Sequence, residues 1–100
     1  MKSYKIKMLS TSKADLTDII DYLLQFYANT ALKQYDKIIE KINTLKEFPF
    51  MCEEYQINVM DLQYRKMVID NYLVFYIVYD DIVEIHRIIN TRMDITKIIK

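Results

Sequence analysis

Tyr72-Leu73-Val74-Phe75-Tyr76-Ile77-Val78-Tyr79 is aliphatic or aromatic throughout, and it decides the fold. Tyr72, Val74, Tyr76 and Val78 form one alternating set; Leu73, Phe75, Ile77 and Tyr79 form the other. Such β-branched and aromatic residues suit a pleated strand. An antiparallel strand with one wet face alternates apolar with polar, so this one must be covered on both faces. Two explanations follow. It is the central strand, with the chain's own loop and tail lying over the second face, or a partner protein covers an apolar groove there.

Asp70-Asn71 and Asp80-Asp81 bracket the segment. They separate it from Tyr64-Arg65-Lys66-Met67-Val68-Ile69 before and from a run between Ile82 and Ile89 after. Three strand-like runs joined by two Asp/Asn turns predict an antiparallel meander. The register of the first hairpin stays open. A two-residue Asp70-Asn71 loop puts Arg65 on the face of Tyr72, Val74 and Tyr76, whereas a three-residue loop moves it to the face of Leu73, Phe75 and Ile77.

Upstream, Tyr4-Lys5-Ile6-Lys7-Met8-Leu9 alternates as a short strand. Ser12 and Asp15 fit a capping box, and Leu16, Ile19, Ile20, Leu23, Leu24 and Tyr27 then recur at helical spacing. Asn29-Thr30 reads as a break, after which Ala31, Tyr35, Ile38, Ile39, Ile42 and Leu45 share the face of a second helix. So short a connection folds the two helices into an antiparallel hairpin. Pro49 restricts Phe48 and ends the second helix. Residues 50–62 read as a loop with one short strand or turn, and Ile95, Ile98 and Ile99 predict a short terminal helix. The expected fold is a single α+β domain over residues 1–100 in the order β-α-α-β-β-β. A helical hairpin packs on one face of a four-stranded, mostly antiparallel sheet.

Composition excludes several function classes. With no Gly, neither a P-loop nor a dinucleotide fingerprint can form. One Cys and one His cannot anchor a zinc site, so no metal and no cofactor are expected. Fourteen basic residues balance fourteen acidic ones, without the basic excess that phosphate binding usually requires. The lone Cys52, the lack of an apolar run long enough to span a membrane, and an N-terminus without a signal-type core predict a cytoplasmic protein.

Several stretches resemble the RelE/ParE toxins. Ser12-Lys13-Ala14-Asp15-Leu16, followed by Ile19, Ile20 and Tyr22, is similar to their first-helix signature. Leu45, Phe48 and Pro49 match their helix ending, and Tyr64-Arg65-Lys66-Met67 with Asn71-Tyr72-Leu73-Val74-Phe75-Tyr76 resembles their sheet core. Ile85-His86-Arg87-Ile88-Ile89-Asn90-Thr91-Arg92-Met93-Asp94 is similar to their closing pattern, so the resemblance spans residues 4–99. It implies the toxin of a type II toxin–antitoxin (plasmid stabilisation) system. A co-expressed antitoxin would wrap it and cover the sheet, and operator DNA would be bound only through that antitoxin. A homodimer is compatible with this picture.

The family divides by activity. RelE-like members cleave messenger RNA on the ribosome with basic residues and acid/base groups and without a metal. Arg65 and Arg92 fall at matching positions, but Leu73, Met67 and Ile98 stand where such members carry an arginine, a lysine and, nearby, a tyrosine. ParE-like members poison DNA gyrase with no catalytic constellation. Arg87, Arg92 and Asp94 fit their closing pattern, with Asn90 and Thr91 in place of its histidine and glycine. The expectation is a ParE-like poison, partner-binding through Leu73, Phe75, Ile77 and Tyr79. The alternative is a ribonuclease using Arg65, Arg92 and His86. His86 shares a face with Glu84 and reads first as a hydrogen-bonded rim residue. Arg87 reads as an ion-pair residue, its partner either Asp94 or a helix carboxylate, and the tyrosines of the meander read as sheet packing before base stacking.

Overall fold

The computed structural model describes residues 3–59 and 62–91. The chain runs β1 (Lys5–Met8), α1 (Ser10–Phe26), α2 (Ala28–Asn43), a 3-10 turn (Thr44–Lys46), then β2 (Glu54–Val59), β3 (Leu62–Ile69), β4 (Tyr72–Tyr79) and β5 (Ile82–Asn90). The sheet order is β1-β5-β4-β3-β2. β1 pairs parallel to β5 and all other pairs are antiparallel. The class is the expected α+β, with five strands instead of four. The additional one is β2, inside the stretch read as a loop with one short strand or turn. Its sequence, Glu54-Tyr55-Gln56-Ile57-Asn58-Val59, alternates polar with apolar, the ordinary signature of an edge strand.

β4 lies at the centre. Val74 and Tyr76, with Met67, Ile69, Val83, Ile85 and Ile88 of the neighbouring strands, pack on Leu16, Ile38, Ile42 and Leu45 from the helical layer. On the opposite face Leu73, Phe75 and Ile77 form a second buried cluster with Tyr64 and Ile89, against which Tyr55 and Leu62 pack. The chain by itself therefore buries three of the four residues of that apolar set.

The β3–β4 and β4–β5 hairpins each turn through two residues, since Ile69 faces Tyr72 and Tyr79 faces Ile82. The first loop residue is left-handed each time, with φ of 54° at Asp70 and 51° at Asp80; Asp tolerates this region better than bulky residues. The two-residue loop settles the register: Arg65 faces Tyr76, on the helix side of the sheet. A bulge lies further along, where Phe75 faces Arg87 but Tyr76 faces Ile85, so His86 is extra. The inserted residue rephases β5. Val83 and Ile85 face the helices before it and Ile88 after it, an odd-to-even switch that an unbroken strand cannot make.

The helices differ from expectation at their ends. α1 starts at Ser10 and has no side-chain cap. Ser12 donates to the Leu9 carbonyl instead, and Asp15 is drawn away to β5, so the capping box does not form. The break between helices falls at Tyr27, two residues before Asn29-Thr30. α2 ends at Asn43 and the 3-10 turn carries the chain on, with Leu45 fully buried. The expected terminal helix lies outside the described residues.

Candidate functional site

Arg65 comes off β3 toward the helix side and is held on three sides. Its guanidinium donates to the Cys52 carbonyl at 2.7 Å and to Glu54 at 3.3 Å, and lies 5.0 Å from the Phe50 ring centre. Beside it the buried Tyr76 hydroxyl donates to the Pro49 carbonyl at 3.0 Å. Burial above all, with the neighbouring Cys52, pushes that phenol far above its ordinary value. Arg65 and Tyr76 thus strap the segment between the second helix and β2 onto the sheet.

His86 stands on the opposite face. Its Nδ1 lies 2.9 Å from the Tyr64 hydroxyl, and its Nε2 lies 2.7 Å from one Glu84 oxygen. The Tyr79 hydroxyl donates to the other Glu84 oxygen at 3.0 Å. Nε2 is within donating distance of Glu84 and Nδ1 shares a hydrogen bond with the Tyr64 hydroxyl, so both nitrogens are occupied. Burial works to raise the Glu84 carboxyl, but the hydrogen bonds from His86 and Tyr79 and the charges of His86 and Lys7 outweigh it and leave it below the ordinary value. Burial and the Glu84 charge push the Tyr64 phenol up. Sharing a face with Glu84 was legible from the period of two. Tyr64 was missed as a partner, because it reaches His86 across β4, from a strand that does not touch β5.

At the outer edge of β5 the helix supplies what β1 does not. β1 pairs only as far as Ile85. Beyond it, Thr11 donates to the His86 carbonyl at 2.7 Å, while Asp15 accepts from the Ile88 amide at 2.9 Å and from Arg87 at 2.7 and 2.9 Å. Of the two partners expected for Arg87, the helix carboxylate is the one observed.

The expected ribonuclease residues do not converge. Arg65 and His86 occupy opposite faces of the sheet, and Arg92 lies outside the described residues. Met67 and Leu73 are buried in the two apolar clusters. Of the residues assigned to a partner, Leu73, Phe75 and Ile77 are buried, and Tyr79 is 42% exposed. Exposed apolar side chains occur at Val68, which pairs with Leu73, at Phe48, Phe50 and Met51, and at the turn end of the helical hairpin. Tyr22, Phe26, Tyr27 and Leu32 are each more than 60% exposed there, and the Tyr22 and Phe26 rings lie 5.2 Å apart. Among the described residues, no group of three metal-ligating side chains is placed to hold an ion, and no helix is long and apolar enough to cross a membrane.

The described residues thus form a helical hairpin packed on one face of a five-stranded mixed sheet, with α1 tied to β5 through Thr11 and Asp15 and α2 tied to the β3–β4 turn through Lys37. The fold is shared with a chain of the chromosomal ParDE toxin–antitoxin system from P. aeruginosa. The TM-score is 0.75 at 19% identity, over 90% of this chain and 98% of that one. The chain belongs to the ParE toxin family of type II toxin–antitoxin systems (parDE), whose model matches residues 6–95. No curated protein matches it. It is therefore the toxin component of such a system, neutralised by a cognate antitoxin.

Proposed function

We propose that this toxin inhibits growth by binding a protein target, DNA gyrase, as the ParE-like members do, and that it does not cleave messenger RNA. The observation that carries this reading is the placement of Arg65 and His86. They stand on opposite faces of the sheet, one clamped on Cys52 and Glu54, the other engaged at both ring nitrogens. A metal-independent ribonuclease needs a base, an acid and a cation around one phosphate. The neutral net charge argues the same way, because RNA affinity leans on cationic surface.

Expression without antitoxin tests it. A gyrase poison induces the DNA-damage response and leaves messages intact. A ribonuclease yields messages cut at ribosomes and no early damage response, and that outcome overturns the proposal. Arg65→Ala and Arg92→Ala refine the test: loss of message cutting in either variant would restore the ribonuclease reading. For the antitoxin, Tyr79 and the exposed aromatic end of the hairpin offer contact surface in the free toxin.

A further inference from the structure

Between α1 and the ends of β4 and β5 lies an open cleft of about 330 Å3, lined among others by Asp15, Asp18, Tyr22, Tyr72, Arg87 and Ile88. This volume lies in the ~300–1,000 Å3 range of small-ligand sites. The charges in it are unequal. Asp15 and Arg87 neutralise each other through their two hydrogen bonds, whereas among the described residues no hydrogen bond or ion pair reaches the Asp18 carboxylate. Tyr22 and Tyr72 line the same cleft, and Ile88 contributes an apolar side chain to it. A carboxylate that shares a cleft with two tyrosines and an apolar side chain suits a cation on an apolar stem, which can ion-pair with the carboxylate and pack against the rings. At its rim the cleft continues into exposed apolar surface. Tyr22 passes on to Phe26 at 5.2 Å, and Phe26 to Tyr27 at 6.3 Å. A free small cation would leave that strip bare, and a polypeptide would cover it.

We propose that this cleft is an anchor site for an arginine or lysine side chain of the antitoxin, seated by Asp18, Tyr22 and Tyr72, with apolar residues next to it in the antitoxin lying over Phe26 and Tyr27. The proposal rests on the toxin–antitoxin reading and adds the chemistry of one contact. Asp18 is the specificity-determining residue, since among the described residues it is the one unpaired charge lining the cleft. Arginine fits best, because its planar group can stack on a ring while it hydrogen-bonds a carboxylate.

The test is the affinity of the cognate antitoxin for wild-type toxin, Asp18→Asn and Asp18→Lys, measured by biolayer interferometry in low and high salt. Asp18 is exposed on the helix, so both variants should melt as the wild type does by circular dichroism. The expected result is affinity at least ~10-fold weaker for Asp18→Lys and a smaller loss for Asp18→Asn, with both differences shrinking as salt screens the pair. An alanine scan of the antitoxin's basic residues should find one whose loss is not additive with Asp18→Asn. Unchanged affinity in Asp18→Lys overturns the anchor site and leaves the family assignment standing. If a second copy of the toxin fills the cleft instead, Asp18→Lys changes the toxin's sedimentation and not its antitoxin affinity, which also overturns the proposal. If the wild-type toxin fails to bind the antitoxin at all, the underlying reading fails, not the anchor alone.

Discussion

The Asp15 carboxylate of α1 grips the Arg87 guanidinium of β5 at 2.7 and 2.9 Å, and the oxygen that makes the shorter bond also accepts the Ile88 amide at 2.9 Å. One side chain thereby closes a sheet edge that β1 leaves open and fixes the first helix against the strand carrying the bulge. The hydrogen bonds that Arg87 donates to Asp15, opposed by partial burial and aided by the carboxylate's charge, raise Arg87 above its ordinary value. Both side chains are largely shielded, at 29% and 14% exposure, so the pair should matter more than an exposed one.

Asp15→Ala leaves a guanidinium and a backbone amide without an acceptor. The expected loss is about 2 kcal/mol, in the range for charge-assisted hydrogen bonds, which lowers the melting temperature by roughly 8–16 °C in a domain of this size. Arg87→Ala should cost less, because Asp15 keeps the Ile88 amide. A double-mutant cycle should return a coupling of about 1 kcal/mol. A coupling near zero would mean that the bidentate geometry carries no net stability.

Phe75 and Tyr79 lie on one alternating set of β4 and should behave in opposite ways. Phe75 is fully buried against Tyr55 and Tyr64, so Phe75→Ala is expected to cost ~3–5 kcal/mol and to leave little folded toxin. Tyr79→Ala removes an exposed ring and one hydrogen bond to Glu84, costing under about 1 kcal/mol. Urea unfolding of the two variants separates a residue of the core from one free to meet a partner.

The residues that carried the fold in the sequence were those whose neighbours lie close along the chain. The doubly apolar run of β4, the two Asp-led turns and the helical spacing from Leu16 onward each state their structure locally. β2 was legible too, in its alternation from Glu54 to Val59, but it hides behind Phe50-Met51-Cys52, an unbroken apolar run that blurs the period of two. The pairings that make the candidate site are not local. Tyr64 meets His86 over a strand neither belongs to, and Asp15 reaches Arg87 across most of the chain, taking a carboxylate that a helix cap would otherwise use. The bulge left a trace, since Val83, Ile85 and Ile88 cannot all face one side of a regular strand. The face that Arg65 occupies was not legible, because it depended on a turn length that the sequence left open.

Asp80 tests the turn chemistry. At a φ of 51° a β-branched side chain crowds the backbone, and Asp80→Val is expected to cost ~1–2 kcal/mol, or roughly 4–16 °C in melting temperature. Asp80→Gly should be near neutral, because glycine visits this region freely. Equal stability of the valine and glycine variants would argue that the turn relaxes to another geometry.

Glu84 makes the pH dependence specific. Its carboxyl sits below its ordinary value of 4.5 in the folded chain because the His86 and Tyr79 hydrogen bonds and the nearby charges overcome the effect of burial. For an acid whose folded value is depressed, the unfolded chain binds the proton more readily. The stabilisation is then complete above about 4.5 and is lost as pH falls through the lower folded value. Urea midpoints measured from neutral pH downward should fall for the wild type, with part of the fall beginning near 4.5. Glu84→Gln keeps the shape but has no charge to lose. Its midpoint should start lower at neutral pH, fall less in the acid window, and approach the wild-type curve once Glu84 is protonated. Parallel curves throughout would show that the Tyr79–Glu84–His86–Tyr64 chain holds its geometry without an ionised carboxylate, leaving the buried Phe75 cluster beneath it as the support of that face.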